Sequence, residues 1–166
     1  MILIGIDPGY AIVGYGVVKY ENNRFTPLEY DAITTPAEMP FAERLEKIYR
    51  DLTQVLRRHR PQAMSVEKLF FTTNQKTGID VAQARGVILL AAVHEKIPVY
   101  EYTPLQVKSS VVGYGKAVKK QVMEMTRILL GLDQIPKPDD VADALALAIT
   151  HAHTAGSLLN RYPYAR

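Results

Sequence analysis

The chain opens on an apolar run, Met1 to Ile6, that stops at Asp7-Pro8-Gly9, the punctuation of a strand ending in a turn. This leaves Asp7 at the strand's C-terminal end. Gly14 to Tyr20 reads as a second strand, Asn22-Asn23 supplies turn residues, and Arg24 to Ile33 reads as a third, so a three-stranded antiparallel meander is expected. The period then changes. Phe41, Leu45, Ile48, Tyr49, Leu52, Val55 and Leu56 lie on one face of an amphipathic helix that Arg60-Pro61 closes. Ala63 to Val66 is a short buried strand delivering Glu67 at its end, followed by a polar loop, Lys68 to Lys76, that carries Phe70 and Phe71. Ile79 to Lys96 is the next helix, and its second half is apolar around most of its circumference. Such a helix is either central in the core or packs one face on the core and another on a second subunit.

Val99 to Tyr102 reads as a fifth strand, Leu105 to Val112 as a helix broken by Gly113-Tyr114-Gly115, and Lys116 to Leu130 as a further helix. After Pro136 and Pro138, Asp139 is placed to cap a last helix running to about Ala155, with Ala142, Leu145, Ala146 and Ile149 as its buried stripe. The order β-β-β-α-β-α-β-α-α-α predicts an α/β fold, a five-stranded mixed sheet flanked by helices. Residues 1–155 form one domain in this reading, and 156–166 a loose tail.

Composition narrows the chemistry. The 166 residues are 48% hydrophobic and 22% charged, ordinary values for a packed globular domain. There is no cysteine, which removes disulfides, thiolate catalysis and cysteine-ligated metal sites, so a metal would be held by oxygen or imidazole. The longest strictly apolar run, Val87 to Val93, falls far short of the roughly 18 residues of a membrane span, and no basic leader precedes the first apolar residues. A cytoplasmic protein with no membrane partner is expected. The net charge of +3 weakly favours a polyanionic partner. Its distribution says more, because between Pro104 and Gly131 the cations Lys108, Lys116, Lys119, Lys120 and Arg127 face the single acid Glu124.

Four acids stand out by position: Asp7 and Glu67 at strand ends, Asp140 and Asp143 near the start of the last helix. The latter two are three apart and share a helical face, and neighbouring strands would bring the former two to one sheet edge. Taken singly, each has an ordinary role as a turn residue, a helix cap or a surface acid. Taken together they exceed what turns and caps require. Four clustered carboxylates repel unless cations join them, and hard divalent ions such as magnesium take oxygen ligands of this kind. Two such ions about 3.5–4 Å apart would clamp the attacking and leaving oxygens of a phosphoryl displacement, which points to nuclease or phosphatase chemistry. His59, His94, His151 and His153 show no zinc-ligand spacing near these acids.

The ordered set Gly5-Ile6-Asp7-Pro8-Gly9, Gly14-Tyr15-Gly16-Val17, Val66-Glu67, Gln83-Ala84-Arg85-Gly86-Val87, Gln106-Val107-Lys108, Val111-Val112-Gly113 and Asp140-Val141-Ala142-Asp143-Ala144-Leu145-Ala146 with Thr150-His151 spans nearly the whole chain. It strongly resembles the RuvC family of bacterial Holliday-junction resolvases. The resemblance implies a ribonuclease H-like fold, a homodimer, and magnesium-dependent paired nicking of four-way junction DNA in recombination and repair. Two Mg2+ ions per site are implied, with Mn2+ as a substitute, together with cooperation with the RuvA–RuvB branch-migration complex. It assigns Asp7, Glu67, Asp140 and Asp143 as metal ligands, and Lys108 and Lys119 as basic residues near the scissile phosphate and the DNA. Phe70 matches an aromatic at the junction centre, with Phe71 as its alternative. Lys116, Lys120 and Arg85 are taken as further DNA contacts. Asp139 is an extra acid with no matched role.

Two rivals from other classes stand beside this reading. A strand running into Gly-Ile-Asp and opening a meander also resembles the first phosphate loop of actin- and Hsp70-type ATPases, but those need two such lobes and this chain has length for one. The other is a junction-binding module without catalysis, or a resolvase-like nuclease acting on RNA, because fold does not dictate substrate.

Overall fold

The computed structural model describes residues 1–68 and 75–155. Five strands, β1 (Ile2–Asp7), β2 (Ile12–Glu21), β3 (Arg24–Thr34), β4 (Ala63–Glu67) and β5 (Val99–Tyr102), form one sheet in the order β3-β2-β1-β4-β5. The first three pair antiparallel, whereas β4 and β5 run parallel to β1, which gives the expected five-stranded mixed sheet. The helices are α1 (Phe41–His59), α2 (Gln75–His94), α3 (Pro104–Val112), α4 (Lys119–Leu130) and α5 (Asp139–Ala155). Among the described residues no helix is long and apolar enough to cross a membrane.

Period-two alternation in the central strands builds two cores. Ile4 and Ile6 of β1 face α1 and α2, where they meet Ile48, Leu52, Leu56, Ala84 and Ile88. Leu3, on the opposite face, packs under α5 with Leu145, Ala148 and Ile149, and Val111, Val122 and Leu130 of α3 and α4 complete that layer. Because the side of the sheet alternates, Gly5 and Asp7 fall on the α5 side with Leu3.

Two glycines let α5 lie directly on the strands. A Cβ on Gly5 would stand 1.9 Å from the Ala144 carbonyl oxygen, and one on Gly14 would stand 2.1 Å from that of Asp140. Gly14 is the register partner of Asp7 across β1 and β2, so the start of α5 is held over the end of β1 by backbone contact.

Local grammar sets most of the ends. Thr103 accepts from the Gln106 amide while Gln106 accepts from the Thr103 amide, a capping box with Pro104 at the first helical position of α3. Arg60, at φ 46°, closes α1 by donating its N–H to the Leu56 carbonyl. The C-terminal end of α1 is also tied to the sheet through Glu29 of β3. That carboxylate takes hydrogen bonds from Tyr15 (2.8 Å) and Arg58 (2.9 and 2.8 Å) and lies 2.6 Å from His59 Nε2. Burial alone would raise its pKa, but these partners hold it down to about 2.

The largest boundary differences from the sequence expectation are at the starts of α2 and α4. α2 begins at Gln75, four residues before Ile79, and α4 begins at Lys119 rather than Lys116, because Gly113-Tyr114-Gly115 extends into a longer turn. Asp139 lies inside the first turn of α5 and its carboxylate is engaged by Lys137 (2.7 Å) and Lys119 (3.7 Å), so it acts as an acid at the positive helix end and an ion-pair partner. Phe70, Phe71 and residues 156–166 lie outside the described residues.

Gly5→Ala should lower stability by about 3 kcal/mol, because the added methyl meets helix backbone that cannot rotate away. Denaturant unfolding checks this, and a change below about 1 kcal/mol would mean that α5 can lift off the strand cheaply.

Candidate active site

One pocket opens at the end of the sheet where β1 and β4 terminate. Its polar lining is Asp7, Glu67, Lys108, Lys119 and Asp143, and its apolar lining is Pro104, Val107, Val122 and Leu147. Asp7 arrives from the last position of β1 and Glu67 from the last position of β4, parallel neighbours in the sheet. Asp143 projects from α5 one turn before Leu147, and the glycine contacts fix the height of that helix above the strands. Asp140 lies one turn earlier, its backbone over Gly14; it does not line the pocket but acts electrostatically on Asp7 and Asp143.

The carboxylates are held in mutual repulsion. Burial, then the charges of Asp143, Glu67 and Asp140, push the Asp7 carboxyl up to about 8, with Lys119 opposing. Glu67 is raised by burial and by Asp143. Asp143 is raised by burial despite a 2.9 Å ion pair with Lys119, whose own ammonium is pushed upward chiefly by that hydrogen bond. Lys119 therefore places one positive charge against an acid cluster that calls for more.

Among the described residues no three His, Asp or Glu side chains stand close enough together to hold an ion in their present conformations. The donor set nevertheless fits a hard divalent cation. It is all oxygen, half-buried and raised in pKa by burial and by mutual repulsion, and a cation already touches one of its members.

The remaining sequence-predicted residues divide. Lys108 and Lys119 both line the pocket. Lys116 and Lys120 are exposed beside it in the turn before α4 and in its first turn. Arg85 does not join them: its side chain is 15% exposed and ion-paired with Glu101 of β5, so its charge is absorbed in packing α2 on the sheet.

Two features had no sequence signal. One is the apolar wall of Pro104, Val107, Val122 and Leu147, drawn from three helices. The other is a buried contact at the far end of α5, where Tyr102 Oη lies 2.7 Å from His151 Nδ1 and 2.8 Å from Thr154 Oγ1. Tyr102 is the register partner of Glu67, so this contact ties α5 to the strand beside one of the acids. Burial lowers the His151 pKa to about 4, which keeps the ring neutral at physiological pH.

A mixed sheet with this strand order, and acids brought to one edge by β1, β4 and the last helix, defines a nuclease of the ribonuclease H-like class. The chain belongs to the RuvC family: the family model described as crossover junction endodeoxyribonuclease RuvC matches residues 3–151. It is 56% identical over 161 residues to the crossover junction endodeoxyribonuclease RuvC of Ruminiclostridium cellulolyticum, covering 96% of this chain and 97% of that protein. The Thermus thermophilus RuvC structure superposes with a TM-score of 0.88 at 40% identity, covering 93% of this chain and 95% of that one. T. thermophilus RuvC in complex with Holliday junction substrate gives 0.86 at 38% identity, with the same two coverages.

The raised acids set a pH dependence. A carboxyl whose folded pKa exceeds its unfolded value binds its proton more tightly in the folded state, so stability falls as pH rises from about 4 to about 8. Without divalent ions, Asp7→Asn should therefore raise Tm near pH 8, by on the order of 5 °C, and have little effect near pH 4. Magnesium should raise the Tm of the wild type more than that of the variant. Equal melting of the two proteins at pH 8 without metal would show that ionised Asp7 carries no penalty from burial or from its acid neighbours.

Proposed function

We propose that this protein is a divalent-metal-dependent endonuclease that resolves four-way DNA junctions by paired nicks, acting in recombination and repair in the cytoplasm. The observation that carries this reading is the gathering of Asp7, Glu67 and Asp143 with Lys108 and Lys119 around one pocket, in a chain of this family. That the T. thermophilus relative was solved with Holliday junction substrate supports the choice of DNA. Residues 1–155 are read as a single nuclease domain.

Asp7, Glu67 and Asp143 would hold the metal, with Asp140 joining from the preceding turn of α5; magnesium is the proposed ion, two per site, with manganese as a substitute. Bound divalent ions supply a water nucleophile at neutral pH and charge neutralisation at phosphorus. Asp7 is coupled electrostatically to Glu67, Asp143 and Asp140, which suits it to hold metal together with any of them. Lys108 and Lys119, on the pocket wall, draw in the phosphodiester and offset the negative charge that grows on its oxygens. Hydrolysis forms a bond from water oxygen to phosphorus and breaks the bond from phosphorus to the 3′ oxygen, leaving a 5′-phosphate and a 3′-hydroxyl. Lys116 and Lys120 add backbone attraction outside the pocket.

Paired nicks in opposing strands require two sites. α2 exposes Ile79, Leu90 and Val93, at 59%, 47% and 66%, along a face that also carries the exposed Gln83 and Gly86, and this stripe is the proposed homodimer contact. Association with a RuvA–RuvB branch-migration complex is proposed on family membership alone.

The direct test incubates the protein with a labelled four-way junction, a matched duplex and an RNA–DNA hybrid, with magnesium or chelator. Magnesium-dependent paired nicks in the junction are expected, and Asp7→Asn should bind the junction while cleaving at least about 1000-fold more slowly. Preferential cutting of duplex or hybrid would overturn the substrate, and undiminished cleavage by Asp7→Asn would overturn the site. For the dimer, the wild type should run at twice the chain mass at micromolar concentration, and the double variant Leu90→Glu with Val93→Glu should run as a monomer. A monomeric wild type sinks that contact.

A further inference from the structure

Three of the exposed large hydrophobic side chains gather in one short region: Leu105 at 63%, Tyr114 at 47% and Val118 at 61%. Leu105 follows Pro104 and Val118 precedes Lys119, and both of those neighbours line the pocket. Tyr114 precedes Gly115, which lies against Leu105. A Cβ on Gly115 would lie 2.4 Å from Leu105 Cδ1 and 3.3 Å from Ser109 Oγ, so the turn after α3 folds back along that helix and rests on Leu105. The start of α3 and the α3–α4 turn thus bring an exposed tyrosine and two exposed aliphatic side chains close to residues that line the acid site.

The segment that carries these side chains is charged with one sign. From Pro104 to Met123 the chain carries Lys108, Lys116, Lys119 and Lys120 and no acid. An apolar patch on a segment whose only charges are lysines suits a polyanion that also has flat apolar faces, and a nucleic-acid strand meets both requirements. A solvated charged surface would not need Leu105, Tyr114 and Val118 exposed together.

We propose that Tyr114, backed by Leu105 and Val118, is a base-stacking platform for the DNA strand entering the pocket, gripping a nucleobase near the phosphodiester to be cut while the lysines hold the backbone. The inference rests on the reading of the pocket as the cleavage site and adds a contact that its acids and lysines cannot make. Stacking on a tyrosine ring tolerates any base but requires one that can leave its own stack. The platform therefore favours branched or distorted DNA over continuous duplex. It also divides the work chemically, with lysines giving salt-dependent attraction and the ring giving salt-independent grip.

The test uses a synthetic four-way junction carrying 2-aminopurine in turn at each position flanking the nicked phosphate, with chelator present to prevent cleavage. Wild type and Tyr114→Phe should change the fluorescence at one of these positions, and Tyr114→Ala should abolish that change and weaken junction binding about tenfold. The salt dependence of binding should be the same for Tyr114→Ala and wild type, whereas Lys116→Ala should flatten it by about one phosphate contact. Tyr114→Ala binding within twofold of wild type overturns the platform, as does Tyr114→Phe being as damaging as alanine, which would make the hydroxyl the contact. Failure of the cleavage-site reading would show separately, as undiminished cleavage by Asp7→Asn.

Discussion

The close seating of α5 on the sheet governs everything at the catalytic end of this molecule. Helices normally stand off a sheet by the thickness of their side chains, but at Gly5 and Gly14 no side chain intervenes and helix backbone meets strand backbone. That contact sets the height of Asp143 over Asp7 and places the Asp140 backbone on the register partner of Asp7. Alanine-rich spacing in the helix, with Ala144 and Ala148 against β1, completes the fit. A bulkier residue on either surface would separate the acids as it separated the layers.

The site built this way stores electrostatic tension. Half-buried carboxylates from three elements raise one another's pKa, and Lys119 offsets only part of the repulsion through its contact with Asp143. The fold gains nothing from this arrangement by itself, since ionised acids with too few partners reduce stability. It is maintained by the cores on the two faces of the sheet and by contacts far from the pocket, among them the Glu29 cluster at α1 and the Tyr102–His151 contact at the end of α5. Stability is distributed through the sheet and helices so that charge can be concentrated at one edge.

Much of this was legible in the chain. Asp-Pro-Gly after an apolar run marks the end of β1, the strand before Glu67 is short and buried, and an i,i+3 acid pair among alanines places two carboxylates on one face of α5. These are local features, set by backbone geometry within a few residues. The salt bridge of Arg85 was not legible, because its partner, Glu101, lies on a strand that is distant in sequence and nothing beside Arg85 announces the pairing. Asp139, which the sequence places as a cap, begins the first turn of α5, and lysines from two segments take its charge.

The amino-acid order alone determined the elements, their sequence, the acids that end them and the family, because periodicity, turn chemistry and motif order are properties of neighbouring residues. The tertiary structure decided which of those residues share a pocket. Asp7, Glu67, Lys108, Lys119 and Asp143 come together only when β4 runs parallel beside β1 and α5 settles onto glycines 5 and 14. The apolar wall and the folded-back turn bearing Tyr114 likewise exist only as contacts between helices. Such contacts arise from packing across long sequence separations, where no local pattern carries the distance.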